Sequence, residues 1–203
     1  IPFINVRNDK ENSRKYLKIP NNKKVLLFFG MIKEVKGLDV LLYALKDVLK
    51  ETPDVLLLIA GKTWENDFTI YQRIIEENNL SENIILHIKF IPHKDVEYYY
   101  SAADLVVLPY KKIYQSGVLM MALSYEKPAL VSDLPPIKEV ITDNKNGFLF
   151  HSEGVDDLAS RLNQILSDKE NLEKVRVNGN TLINKRFGWN EIGRLTKEAY
   201  QTL

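Results

Sequence analysis

The 203-residue sequence contains no cysteine. Disulfides, cysteine–zinc sites and thiol catalysis are therefore excluded, and the composition fits a reducing compartment. No apolar stretch reaches the roughly 18 residues that a membrane-spanning helix needs. Charge of one sign is also lacking: 28 Lys and Arg stand against 27 Asp and Glu, for a net charge of +1. No overall field draws such a chain to nucleic acid or to a membrane surface. The basic residues are scattered, and no strip of interleaved basic and aromatic residues suggests RNA binding. The opening IPFINVRNDK carries no signal-peptide pattern and no initial Met, so we expect a fragment of a longer chain. No Asp-x-Asp pair is present, and His87, His93 and His151 show no metal-ligand spacing. No Gly-x-Gly-x-x-Gly follows the first apolar run, which argues against a dinucleotide oxidoreductase. Gly61-Lys62-Thr63 resembles the end of a P-loop, but the glycine required five residues earlier is Leu56, so these residues read as a turn.

What is present is a globular composition, 45% hydrophobic and 27% charged, long enough for one sizeable core or two small ones. The continuous apolar run at 24–29 reads as a parallel strand covered on both faces, 105–108 as a short buried strand, and 55–60, 83–87, 128–131 and 147–150 as further strands. Between and after them lie helical patterns at 38–50, around Tyr71, Ile74 and Ile75, and at 95–102, 118–124, 155–166, 172–187 and 189–203. A short helix carrying Glu139 is expected between the last two strands. Alternating strands and helices predict an α/β fold, a Rossmann-like doubly wound parallel sheet of about six strands. Right-handed crossovers place the loops after the strands on one edge, where ligands bind. Residues 1–23 are polar, with one helical pattern at Ser13–Leu17, and read as a linker entering a domain at 24–186, with 187–203 as a terminal helix.

The stretch 109–141 concentrates the chemistry. The run Leu105–Leu108 stops at Pro109, a polar loop follows, and Ser116-Gly117 precedes an unbroken helical pattern from Val118. Ser116 is a good N-cap, and Gly117 lets a ligand approach the backbone. A helix N-terminus placed beyond the end of a strand presents free N–H groups and the positive end of the helix dipole, and a phosphate is the natural guest.

This layout resembles the donor-binding half of the GT-B glycosyltransferases, specifically the retaining family 4, the glycosyl transferases group 1. Pro109, Gly117, Ala122, Pro128 and Glu139 fall on the family's frame, and Phe29-Gly30 through Lys36-Gly37 resembles its "G-R-x-x-x-x-K-G" donor loop. The sequence departs from that frame at Met31, where the family has arginine, and at Ile113 and Met121, where it often has two glutamates. The resemblance implies one half of a GT-B fold that binds a UDP- or GDP-sugar and transfers a hexose, without a cofactor or metal, to a glycan or lipid-linked acceptor. The rest of the cleft and the acceptor site would lie in a further N-terminal domain, and the terminal helix would pack back across the two halves. The expected location is the cytoplasm, with peripheral contact at the inner face of the membrane, and the expected process is polysaccharide biosynthesis.

The resemblance assigns Lys36, supported by Lys33, to the diphosphate, where preorganised cations stabilise leaving-group charge. Both lysines could equally solvate a loop. Glu139 is assigned to sugar hydroxyls or ribose, or else is a surface carboxylate near a helix. Gly30, Gly37, Gly117 and Val118 supply close backbone approach, and Ser116 contacts a phosphate, caps its helix, or does both. Gln115 is a candidate sugar contact. Phe90 and Ile91 border the base, or are a core residue and a turn. The competing expectation is a non-catalytic Rossmann-like binding module with a degenerate donor site.

Overall fold

The computed structural model of the chain describes residues 8–65 and 67–201. The strands are β1 (Lys24–Phe29), β2 (Val55–Ala60), β3 (Ile84–His87), β4 (Leu105–Leu108), β5 (Ala129–Ser132) and β6 (Phe148–Phe150). They pair in parallel throughout, in the order β3-β2-β1-β4-β5-β6. The expected doubly wound parallel sheet is therefore the fold observed. Its edges differ from the sequence reading by a residue or two. β5 begins at Ala129 because Pro128 has no N–H for the ladder; its carbonyl still accepts from Val106 N at 3.0 Å.

The continuous apolar runs are explained by two cores, one on each face of the sheet. Successive side chains of a strand alternate between faces. Leu26, Phe28, Leu57, Ile59, Leu105, Val107 and Leu130 enter one core, and Val25, Leu27, Leu58, Val106, Leu108 and Val131 enter the other. Each such side chain contributes roughly 1.5–3 kcal/mol relative to remaining exposed. The first core is covered by α2 (Leu38–Glu51), α3 (Thr69–Glu77) and α7 (Val155–Ser167), and the second by α4 (Val96–Ala102), α5 (Gly117–Ser124) and the short α6 (Pro135–Lys138). The long α8 (Lys169–Arg186) sends Val175 into the first core and Ile183 into the second. The terminal helix α9 (Trp189–Gln201) buries none of its described residues. Among the described residues, no helix is long and apolar enough to cross a membrane.

Within the stretch expected as a linker, residues 1–7 lie outside the described residues, while Lys10–Leu17 form helix α1, which packs on α4. Arg14 fastens it. Its guanidinium is 2% exposed and donates to Ala102 O at 3.1 Å, Asn21 O at 2.8 Å, Lys23 O at 3.0 Å and Asp104 Oδ2 at 2.8 Å. Asp104 Oδ2 also accepts from Val25 N at 2.7 Å. One buried cation thus ties the N-terminal helix to the starts of β1 and β4, and its charge is both paired and hydrogen-bonded, as burial requires. At the other end, residues 202 and 203 of the expected terminal helix lie outside the described residues.

Candidate functional site

The sheet order reverses between β1 and β4. Chain connections leave those two strands in opposite directions, so a crevice opens beyond their C-terminal ends, the place where open α/β sheets bind ligands. The two loops bordering it are 30–37 after β1 and 109–116 after β4.

The first loop leaves β1 through Gly30, whose φ of 106° is open to glycine. Glu34–Lys36 form a 3₁₀ turn closed by Lys36 N to Lys33 O at 2.8 Å, and Gly37 follows at φ 67° before α2 begins. The second loop leaves β4 through Pro109. Ser116 caps α5, its Oγ accepting from Leu119 N at 3.1 Å. The first N–H groups of a helix have no partner within it. Those of Gly117 and Val118 receive no acceptor among the described residues.

The loops interlock. The Lys36 ammonium sits over the Tyr110 ring, 4.0 Å from its centroid. The same Tyr110, 2% exposed, shares a hydrogen bond of 2.9 Å between its hydroxyl and Ser116 Oγ. Burial pushes the Tyr110 phenol up to about 12, with the Ser116 bond acting against that rise, so the hydroxyl stays neutral at physiological pH. Lys36 titrates below its ordinary value because partial burial strips water from the ammonium and Lys33 adds a like charge. Lys33 Nζ lies 5.4 Å from the centre of the Trp64 ring, and Trp64 N bonds to Ile32 O at 2.9 Å. A Cβ built on Gly30 would meet Val118 Cγ2 at 3.3 Å, so the root of the first loop lies against the first turn of α5.

Lys36, Gly30, Gly37, Ser116, Gly117 and Val118 are therefore gathered at one crevice, while Lys33 turns to Trp64 and lines a neighbouring hollow with Asp67 and Tyr71. Gln115 lies on the second of these loops, directly before Ser116, and is exposed. Phe90, after β3, is 75% exposed. Ile91 turns its side chain into the second core. Glu139 is exposed at the end of α6, and its carbonyl, not its carboxylate, accepts from Arg186 Nη1 at 3.0 Å. Ile113 and Met121, at the family's glutamate positions, pack against the second core, and Met31 is 45% exposed. Among the described residues, no group of three or more His, Cys, Asp or Glu side chains forms a metal-binding cluster.

A half-buried ammonium is thus joined through Tyr110 to a capped helix N-terminus. The family described as Glycosyl transferases group 1 matches residues 9–181. The chain belongs to that family. This group 1 chain is 27% identical over 191 residues to spore coat protein SA of Bacillus subtilis, covering 89% of the chain and 49% of that relative. It is 29% identical over 177 residues to the GDP-mannose:glycolipid 4-beta-D-mannosyltransferase of Xanthomonas campestris pv. campestris, covering 86% of the chain and 48% of the relative. The crystal structure of Anabaena Alr3699/HepE in complex with UDP superposes with a TM-score of 0.87 at 21% identity, over 96% of this chain and 53% of that one. That likeness carries the fold. The group 1 chain spans about half the length of the curated relatives it matches.

Two residues of the group 1 chain's site escaped the sequence reading. Nothing in the sequence marks Tyr110 as the residue that underlies Lys36 and holds Ser116. Trp64 follows a segment read only as a turn, and its partner Lys33 lies on another loop. The one local signal was an aromatic residue directly after the strand-ending proline.

Proposed function

We propose that the chain is the donor-binding part of a retaining glycosyltransferase. It takes a UDP- or GDP-sugar and supports transfer of a hexose to a glycan or lipid-linked acceptor. Residues 24–186 form the nucleotide-sugar unit and 187–203 the closing helix; the acceptor site belongs to a further domain. On this reading the isolated 203 residues bind donor but turn over none. The protein works in the cytoplasm or against the inner face of the membrane.

The observation that carries this reading is the single crevice shared by Lys36 and the N-terminus of α5. As the sugar–phosphate bond breaks, negative charge grows on the departing nucleoside diphosphate. Lys36, with Lys33 beside it, meets that charge from one wall, and the Gly117 and Val118 N–H groups meet it from the other. Donors fixed before reaction stabilise such charge without reorganising. The dipole adds roughly 0.3–1 kcal/mol, up to about 2 in partly buried geometry. Transfer then proceeds without a metal. Glu139, Gln115 and Phe90 are assigned to the sugar and base ends of the donor.

A second reading has its own observation. Ile113 and Met121 pack against apolar core where the family often carries glutamates, so the nucleotide ribose loses that carboxylate contact. A non-catalytic module with a worn donor site would look the same there. Nucleoside diphosphate binding separates the two readings. Calorimetric titration with UDP, GDP and ADP, with and without Mg²⁺, is expected to show selective binding of one nucleotide near 1 mM, about −4 kcal/mol for half a cleft. Lys36→Ala is expected to weaken it about tenfold, or roughly 1.4 kcal/mol. Equal or absent binding of all three nucleotides to this chain and to a longer chain carrying the further domain would overturn the donor reading.

A further inference from the structure

We propose that Tyr110 is a positioning residue that sets Lys36 and the cap of α5 in one fixed relation, so that cation and helix N-terminus engage a diphosphate together. The inference rests on the donor reading given above and extends it to a residue that touches neither phosphate nor sugar.

The geometry is specific. Lys36 Nζ stands 4.0 Å from the centre of the Tyr110 ring, close enough for the ring face to attract the cation. The opposite end of the side chain is spent on Ser116, hydroxyl to hydroxyl at 2.9 Å. Ser116 Oγ in turn accepts from Leu119 N at 3.1 Å. A chain of contacts therefore runs from the ammonium through the ring and the cap to the first turn of α5. Lysine carries a long flexible stem, and an unsupported one loses rotamer freedom when it engages a ligand. A ring beneath the ammonium removes much of that loss before the ligand arrives. Tyr110 cannot drift, because its backbone is held too: its N bonds to Leu108 O at 2.9 Å, and its carbonyl accepts from Ser152 Oγ at 3.2 Å.

Two substitutions divide the role. Tyr110→Phe keeps the ring and frees Ser116 to cap alone. Tyr110→Leu removes the ring face while keeping apolar bulk. The test is a titration of whichever of UDP and GDP binds the wild-type chain more tightly, with thermal melting of each variant as a folding control. Tyr110→Leu is expected to weaken binding about tenfold and Tyr110→Phe by less than about threefold. In the Lys36→Ala background, Tyr110→Leu is expected to add nothing, because there is no longer an ammonium to place. An equal loss in both backgrounds would show that Tyr110 only holds the fold, and the inference would fall while the donor reading stood. Binding of neither nucleotide by wild type would count against the donor reading itself. The Lys36 ε-methylene proton shifts would then decide the placement: ring-current displacement in wild type and Tyr110→Phe, lost in Tyr110→Leu, supports it. Its absence from wild type overturns it.

Discussion

Gly37 and Pro109 meet backbone to backbone: a Cβ on Gly37 would lie 1.8 Å from the Pro109 carbonyl oxygen. The residues on either side reinforce that contact. Lys111 N donates to Val35 O at 3.0 Å, and Lys111 Nζ reaches Asp39 Oδ2 at 2.6 Å. The loop after β4 is thus pressed onto the loop after β1 over several residues. The crevice is a joint between two segments more than seventy residues apart, and its shape depends on the fit between them.

Gly37→Ala tests that fit. The residue has φ 67°, so a side chain is strained there even before it strikes Pro109. Left-handed strain of roughly 1–2 kcal/mol and overpacking of roughly 1–3 kcal/mol lead to an expected loss of about 2–5 kcal/mol. Urea denaturation measures it. The variant that survives is also expected to lose nucleotide affinity, because Lys36 immediately precedes the displaced residue. Wild-type stability in Gly37→Ala would mean that the loops separate without cost.

Lys36 gives the site a pH signature. Its ammonium titrates below 10.5 because half-burial and the Lys33 charge both disfavour the protonated form. A bound diphosphate favours that form and raises the value. Affinity is therefore full well below the free-state value, falls as pH rises through it, and levels off above the bound-state value. The fall is expected to begin at lower pH than for an ordinary lysine. Lys36→Arg keeps its charge beyond pH 12, so its affinity is expected to fall less over the same alkaline range. Calorimetry from neutral pH to about 10 reads both curves. Parallel curves for the two proteins would remove Lys36 from the phosphate contact.

Arg14 is expected to matter to stability out of proportion to its place near the start of the chain. Arg14→Met leaves Asp104 without its buried partner and strips the donor from three carbonyls. Removing one member of a buried pair costs about 3–5 kcal/mol. Asp104 keeps a second cation nearby in Lys10, which places the expected loss at the lower end of that range. Arg14→Lys restores the charge without the planar fork and is expected to recover only part of the loss. Denaturation midpoints of the two variants check this, and a neutral Arg14→Met would show that α1 is not fastened through this residue.

The contrast between Arg14 and Gly117 shows what a sequence makes visible. The inner strands are buried on both faces and write themselves as unbroken apolar runs, and the half-exposed edge strand β3 still shows its run Ile84–Leu86, so all six could be read before any contact was known. Ser116 before Gly117 carried the chemistry of a helix start, and the start is there. Arg14 sits in a polar stretch that looks like a linker, because its four acceptors come from residues 21, 23, 102 and 104, and only folding brings them near. Gly61 read as a turn, yet its φ of 152° serves a close approach: a Cβ there would lie 1.8 Å from Gly30 O. Tyr110 is the same case in the site. An aromatic after a proline has no local mark of burial, and its two partners lie on different loops. Local chemistry is legible in order along the chain; apposition is not.

Gly117 provides the cleanest separation of binding from folding. A Cβ built there meets nothing within 4 Å, and its φ lies outside the left-handed region. It is the first residue of α5, where alanine is a better helix former than glycine, by up to about 1 kcal/mol. Gly117→Ala is therefore expected to melt at the same temperature as wild type or slightly above it. The added methyl would stand beside the N–H groups assigned to the phosphate, and nucleotide affinity is expected to fall about tenfold, or roughly 1.4 kcal/mol. Loss of binding at unchanged stability identifies the start of α5 as a ligand contact. Unchanged binding would mean that the backbone at residue 117 approaches no phosphate, and the site would have to be carried by Lys36 and Lys33 alone.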